Sequence, residues 1–168
     1  MELRLRRLSD WTDWAARALL VPIGIGFILI VFLGVLTRYV FATPITSSVE
    51  LARIGFVWAA FLGAAVCLKQ GKHTQFRFLL DKLSGRPRAV VLLTIDLISL
   101  GFFLLLLVKG VQMVQAVEDT FFPALGWSQL WLYLPLPVCA AFMLIHALAF
   151  LARDSRAVVR GGDERAEA

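Results

Sequence analysis

One acidic residue, Asp96, lies inside a long apolar run and is the only charge between Ala89 and Val108. An ionisable residue within a membrane span is a functional candidate by default. Asp96 could carry a proton or a sodium ion, or it could accept a hydrogen bond from a polar or basic group on a partner helix. A cation site needs several oxygen ligands, so a structural or inter-subunit role is favoured.

Glu50 and Arg53 are an acid and a base one helical turn apart, at the start of another apolar run. Residues at this spacing share a helix face, so they can pair, and the arginine can extend its head towards the membrane boundary. The alternative hypothesis is that Glu50 and Arg53 join the first two spans to a partner subunit.

Two histidines, His73 and His146, could in principle bind a b-type haem. No second ligand pair accompanies them, and His73 follows the apolar run in a polar connection. We therefore expect His146 to have one hydrogen-bond partner and His73 to contact a headgroup or a loop. Cys67 and Cys139 lack Cys-x-x-Cys spacing and are expected to be small core side chains.

The sequence has no nucleophile–base pair, phosphate-binding loop or metal-ligand cluster of the known patterns. It therefore predicts no enzyme, no cofactor and no metal site. The composition favours a membrane protein instead, because 60% of the 168 residues are hydrophobic and the mean hydropathy is +0.79, above the apolar share of ordinary soluble domains. The net charge of +5 comes from basic residues at the ends of apolar runs. This pattern indicates membrane topology and contact with lipids, not binding of nucleic acid.

The apolar runs predict a single integral membrane domain of the all-α class, with four transmembrane helices and short interfacial amphipathic helices. Residues 1–17 carry Trp11 and Trp14 at i, i+3 and are predicted to form an N-terminal interfacial helix. The remaining predicted segments are transmembrane helices over 18–41, 50–69, 88–109 and 130–152, a cytoplasmic surface helix over 74–85 and a flexible tail over 153–168.

Two features within the spans predict helix packing and bending. Gly55, Ala59 and Gly63 form a small-xxx-small row, which lets another helix come close in lipid. Pro135 and Pro137 fall in the first third of the fourth span and should bend it.

The basic residues predict the orientation in the membrane. Fourteen of the 17 lie in the N-terminal segment, in the connection after the second span and in the tail, and the other three are Arg38, Arg53 and Lys109. The positive-inside rule therefore places both termini in the cytoplasm of a bacterial inner-membrane protein. The loop around Glu118 to Trp127 would then face the periplasm.

The stretch from Thr37 to His73 resembles the small membrane subunit of tripartite ATP-independent periplasmic (TRAP) transporters, the DctQ-like family. The resemblance rests on these matches, in order: Arg38-Tyr39-Val40-Phe41, Pro44-Ile45, Glu50-Leu51-Ala52-Arg53, Phe56-Val57-Trp58, Phe61-Leu62-Gly63-Ala64, and Gly71 with His73. The sequence departs from the family pattern at Ser47, Ser48 and Val49, where relatives have Trp and a double acid, and at residues 75–77, where an acid is common.

The resemblance implies a secondary active transporter with two partners, a large membrane subunit and a periplasmic substrate-binding protein. In such systems the binding protein captures a small organic anion, and the large subunit moves it by a sodium-driven elevator motion. The small subunit is implied to be a scaffold. The candidate partner-interface residues are Arg38, Tyr39, Pro44, Glu50, Arg53, Gly55, Trp58, Ala59, Gly63, His73, Asp96 and Pro137.

Two other functions remain open from the sequence alone. A small four-helix exporter acting as a homodimer would use Asp96 as its coupling acid. A b-haem membrane anchor would need both histidines. Neither accounts for the Arg38 to His73 stretch.

Overall fold

The computed structural model describes residues 2–43, 45–69 and 86–159. Helix α1 spans Glu2–Tyr39, α2 Thr46–Lys69, α3 Arg86–Ala116, α4 Leu130–Tyr133 and α5 Pro135–Val159. The predicted surface helix over 74–85, as well as His73 and Pro44, lies outside the described residues.

Four stretches of these helices are long and apolar enough to cross a membrane: Arg7–Tyr39, Thr46–Lys69, Val90–Ala116 and Leu130–Ala152. In the described residues this confirms the all-helical class and the expectation of four helices that are long and apolar enough to span a membrane. Each span is close to its predicted position because an uninterrupted apolar run of about 20 residues has few other stable arrangements.

Helix α1 differs from the prediction because its 38 residues form one continuous helix. Residues 1–17 were expected to form a separate interfacial helix, but Glu2 to Arg17 are the first turns of the same helix as the span. At 1.5 Å per residue, α1 is about 57 Å long. It therefore exceeds the roughly 30 Å of a hydrocarbon core.

The two prolines remove hydrogen bonds near the start of the fourth span, although Leu134 between α4 and α5 keeps a helical φ and ψ of −55° and −35°. The short α4 ends at Tyr133, and α5 starts with Pro135, a residue suited to the first helical position because its missing N–H is not needed there. The predicted tail also starts later than expected, because α5 continues to Val159 and includes residues 153–159. Residues 160–168 lie outside the described part.

The helices form an up-and-down bundle in which α5 is the central element. Helices α1 and α2 pack as an antiparallel pair, α3 packs along α5, and α5 also contacts α1 and α2. One apolar cluster joins α1, α2 and α5 through Ala16, Leu62, Val66 and Cys139. A second cluster joins α2, α3 and α5 through Ala65, Phe103, Met143 and Ala147.

The turn between α1 and α2 reverses the chain with a left-handed residue. Ala42 has φ of 51°, and Thr43 N–H donates to Thr37 O at 3.1 Å. The turn lies at the same end of the bundle as the connection between α3 and α4. The helix ends at Lys69, Arg86 and Val159 lie at the other end.

Candidate functional site

Residues 117–129 connect α3 to α4, and we refer to them as the 117–129 loop. Phe121 and Ser128 form an isolated antiparallel bridge, and Phe122 N–H donates to Trp127 O at 2.8 Å. Gly126 has φ of 67°, a left-handed conformation that glycine adopts without steric cost. The loop therefore has a defined fold of its own.

Glu50 holds this loop against the start of α2. Its carboxylate accepts hydrogen bonds from Ala124 N–H at 3.1 and 3.2 Å and from Leu125 N–H at 2.8 Å. A carboxylate that accepts backbone N–H groups forms charge-assisted bonds, which are stronger than neutral ones. Phe122 of this loop is buried, with 4% of its surface exposed.

Of the two hypotheses for Glu50 and Arg53, their mutual pairing is replaced by a contact between Glu50 and a loop 74 residues away, and their role at a partner subunit stays a prediction. The structure shows ion pairs of Arg17 with Asp13 and of Lys69 with Asp10. Arg53 is exposed on α2. Sequence spacing suggested a local partner for Glu50, and the loop N–H groups carry no residue-specific signal that would have identified them.

Trp58 joins α2 to α4 at the same end of the bundle. Its indole N–H donates to Trp131 O at 2.9 Å. In a continuous helix this carbonyl would accept from the residue four positions later, which is Pro135 and has no N–H. The proline thus leaves a carbonyl that the indole satisfies.

Pro137 and Gly110 mark a close approach of α3 and α5. A Cβ on Gly110 would lie 3.0 Å from both Cδ and N of Pro137 and 3.1 Å from Leu136 Cγ. Gly110 was not among the predicted site residues. Its only sequence signal was a glycine inside a helical run, which costs about 1 kcal/mol relative to alanine, and Gly101 of the same helix has the same signal without a close contact.

The small-residue row on α2 divides between two environments. Gly55 faces α1, because a Cβ there would meet Phe27 Cβ at 3.2 Å, and Ala59 is half-buried. A Cβ on Gly63 would meet nothing within 4 Å. The predicted partner role of Gly55, Ala59 and Gly63 stays a prediction.

At the opposite end of the bundle, polar side chains bond to one another. Ser9 Oγ and His146 Nδ1 are 2.8 Å apart, and both residues are buried. This confirms the expected single hydrogen-bond partner of His146. Lys69 Nζ pairs with Asp10 and links the end of α2 to α1. Ser9 was missed as the partner of His146, because the two residues are 137 positions apart and no local sequence signal links them.

The remaining predicted residues lie apart from these contacts. The Arg38 guanidinium carbon lies 5.8 Å from the centroid of the Tyr39 ring, and both residues are exposed. Asp96 is half-buried in the first half of α3, and its role stays a prediction. Cys67 is free and exposed and Cys139 is free and buried, so the expected core position holds only for Cys139.

The outer faces of α1 and α3 are apolar and exposed. On α1 they include Ile25, Ile28, Phe32 and Val35, and on α3 they include Ile98, Phe102, Leu105 and Val108. Among the residues whose side chains the structure describes, the buried polar residues are Ser9 and His146. The arrangement is an apolar bundle in which hydrogen bonds and ion pairs join the elements at the two ends.

Comparison with known proteins gives one family over most of the chain. The family model described as "Tripartite ATP-independent periplasmic transporters, DctQ component" matches residues 27–157. The sialic acid TRAP transporter small permease protein SiaQ of Vibrio cholerae is 29% identical over 148 residues, which cover 87% of this chain and 84% of SiaQ. A putative TRAP transporter small permease protein of Haemophilus influenzae is 28% identical over 125 residues, 74% of this chain and 78% of that protein. The sialic acid TRAP transporter permease protein SiaT of Haemophilus influenzae is 27% identical over 145 residues, 84% of this chain but 22% of SiaT.

Proposed function

Because this chain belongs to the DctQ family of TRAP transporter small subunits, which are multi-pass inner-membrane proteins, we propose that it braces a large membrane subunit during transport. In this proposal the transporter is coupled to sodium and takes up a small organic acid. A periplasmic binding protein delivers that acid. The match over residues 27–157 is the observation that carries the proposal.

The similarity to SiaT supports direct contact with a large membrane subunit. Nearly the whole chain resembles a segment that makes up 22% of SiaT, a protein named as a permease. A segment similar to this chain is therefore covalently part of a much longer permease. In the separate chain, a non-covalent contact would take the place of that covalent link.

The scaffold role is supported by the interior of the bundle. Apolar clusters fill the spaces between α1, α2, α3 and α5, and close packing of this kind gives low compressibility. A conducting path would need polar groups or water along its length. The described interior is suited to a fixed frame against which another subunit moves.

The substrate class is proposed from the relatives. SiaQ and SiaT are named for sialic acid, which is an organic acid, and the proposed substrate of this system is a small organic acid. The family resemblance assigns the choice of substrate to the other subunits.

The proposed orientation puts both termini in the cytoplasm and the 117–129 loop in the periplasm. Phe121 and Trp127 of that loop are exposed, with 60% and 53% of their surfaces accessible. They would lie on the side from which the binding protein approaches, while the apolar outer faces of α1 and α3 contact lipid. The homodimeric exporter that would use Asp96 is not favoured by family membership.

The experiment that tests the proposal is purification of the tagged chain from its native membrane, with co-purifying proteins identified by mass. A large membrane protein in a one-to-one complex is expected. Uptake into proteoliposomes should then require this chain, the large subunit, the binding protein and a sodium gradient together. A homodimer without a large partner, or full uptake without this chain, would contradict the scaffold function.

A further inference from the structure

One face of α2 is largely exposed and carries a charge, although the ring of Phe56 on this face lies 5.8 Å from that of Phe27 on α1. Its residues recur at alternating steps of four and three, which places them in one line along a helix. Val49 and Phe56 have 69% and 58% of their surfaces exposed. We refer to this line as the α2 strip, and it consists of Val49, Arg53, Phe56, Ala60, Gly63 and Cys67.

Arg53 is the charged residue of the α2 strip. It is the eighth residue of α2, about 10 Å from the start of the helix. The acid one turn before it, Glu50, is bonded to the N–H groups of Ala124 and Leu125. In the described ranges no ion pair includes Arg53.

An exposed arginine on an apolar helix is costly in a bilayer unless a group of opposite charge or water reaches it. Glu50 and Trp58 of the same helix bond to backbone groups of this chain. Arg53 is therefore a position at which a group from outside the chain, either water at the membrane boundary or an opposite charge on a neighbouring helix, must meet the guanidinium. The chemistry of the guanidinium selects a carboxylate, with which it forms two parallel hydrogen bonds.

The part of the α2 strip beyond Arg53 is shaped for a neighbouring helix. Ala60 is exposed, and a Cβ on Gly63 would meet nothing within 4 Å. Gly63 thus differs from Gly55, whose missing side chain makes room for Phe27 of α1. Small residues on an outward face let a second helix approach closely in lipid.

We propose that the α2 strip is the docking site for a helix of the large membrane subunit, and that this helix places a carboxylate against Arg53. The inference rests on the proposed function, because it specifies the surface and the chemistry of that partner contact. Charge complementarity sets the register at Arg53. The small residues Ala60 and Gly63 allow the two helices to come into contact.

The test uses the full chain co-expressed with its large subunit, with the amount of large subunit recovered per tagged chain as the readout. Arg53→Glu reverses the charge and Ala60→Trp adds bulk on the α2 strip. The matched control Ile98→Trp adds a tryptophan to an outward position of α3 that is 68% exposed. Circular dichroism and size-exclusion chromatography of each variant show whether the chain itself remains folded.

We expect Arg53→Glu and Ala60→Trp each to reduce recovery of the large subunit by about tenfold or more, because breaking one partner of an enclosed ion pair or overfilling a close contact is strongly unfavourable. Ile98→Trp should change recovery less than about twofold, as scattered outward substitutions usually do. Reversal of one acidic residue in the large subunit should restore binding to Arg53→Glu. That rescue identifies the opposing carboxylate.

Two results would overturn the inference and leave the proposed function intact. One is a wild-type complex whose recovery is unchanged in Arg53→Glu and Ala60→Trp. The other has two parts: no reversal of an acidic residue in the large subunit restores binding to Arg53→Glu, and the wild-type complex is lost when anionic lipids are removed. That result would assign Arg53 to lipid phosphates. If the wild-type chain recovers no large subunit, the proposed function itself fails and this inference fails with it.

Discussion

The two ends of the bundle are held together by different chemistry. At the end with the 117–129 loop, side chains of α2 bond to backbone groups: the Glu50 carboxylate accepts from loop N–H groups, and the Trp58 indole donates to the Trp131 carbonyl. At the opposite end, side chains bond to side chains, as Ser9 does to His146 and Lys69 to Asp10.

The two ends differ because their backbone groups have different hydrogen-bonding needs. A loop and a proline-interrupted helix leave backbone groups without regular partners, and such groups must be satisfied within the protein or by solvent. In a continuous helix the backbone groups already bond to one another, so at the opposite end only the positions of neighbouring helices have to be fixed. A pair of bonded side chains can fix them. The loop end should therefore be more sensitive to substitution than the end near residues 9 and 69.

The largest effect is expected for Glu50→Ala, which leaves the N–H groups of Ala124 and Leu125 without their acceptor. Loss of these charge-assisted bonds should lower the free energy of unfolding by about 2–3 kcal/mol. Thermal unfolding in detergent measures the loss. Chymotrypsin should also cut the 117–129 loop faster, after Phe121 and Trp127.

Glu118→Gln is the matched control, because it removes an exposed negative charge from the same loop without removing these bonds. Glu50→Gln keeps one carbonyl acceptor and should fall between the control and Glu50→Ala. Equal stability of Glu50→Ala and Glu118→Gln would contradict the role given to the Glu50 carboxylate.

The next effect separates two glycines of the same helix. Gly110→Ala puts a Cβ about 3.0 Å from the backbone-fixed ring of Pro137, so α3 and α5 must move apart at a net cost of about 1–2 kcal/mol. Gly101→Ala enters open space and should gain up to about 1 kcal/mol from higher helix propensity. The sign of the change in melting temperature distinguishes Gly110→Ala from Gly101→Ala. If both variants were stabilised, the close approach of Gly110 to Pro137 would be refuted.

A smaller effect is expected at the opposite end, for Ser9→Ala. The substitution removes the partner of a buried imidazole nitrogen and should cost about 1 kcal/mol, in the range of side-chain hydrogen bonds in membrane proteins. A double-mutant cycle with His146→Leu isolates the pair. If the two single costs add fully in the double variant, the 2.8 Å contact contributes no coupling energy.

The sequence was sufficient for the parts of this fold that depend on local pattern. Apolar runs of span length predicted four helices long enough to cross a membrane. Pro135 and Pro137 predicted a bend in the fourth, and the structure has the boundary between α4 and α5 at that place. The continuity of α1 could not be predicted in the same way. Arg17 and the tryptophans before it are typical of an interface, yet they are also compatible with helix, so nothing local separates one helix from two.

The hydrogen bonds at the two ends of the bundle join residues that are far apart in the chain. Glu50 bonds to a loop 74 residues later, and Ser9 to a histidine 137 residues later. Backbone N–H groups are the same at every non-proline position, so sequence could not name Ala124 and Leu125 as partners. Local spacing favoured Arg53, one turn away, and the structure leaves that arginine facing outward.

The smallest effect is expected for Lys69→Met, which removes the ion pair between α2 and α1. Asp10 has 72% of its side-chain surface exposed and Lys69 has 20%, and exposed ion pairs contribute at most about 1 kcal/mol because water and salt screen them. The variant should therefore melt within a few degrees of the wild type. Raising the salt concentration should shrink even that difference. A loss of unfolding free energy as large as that of Glu50→Ala would show that both ends are equally sensitive to substitution. It would contradict the distinction drawn between them.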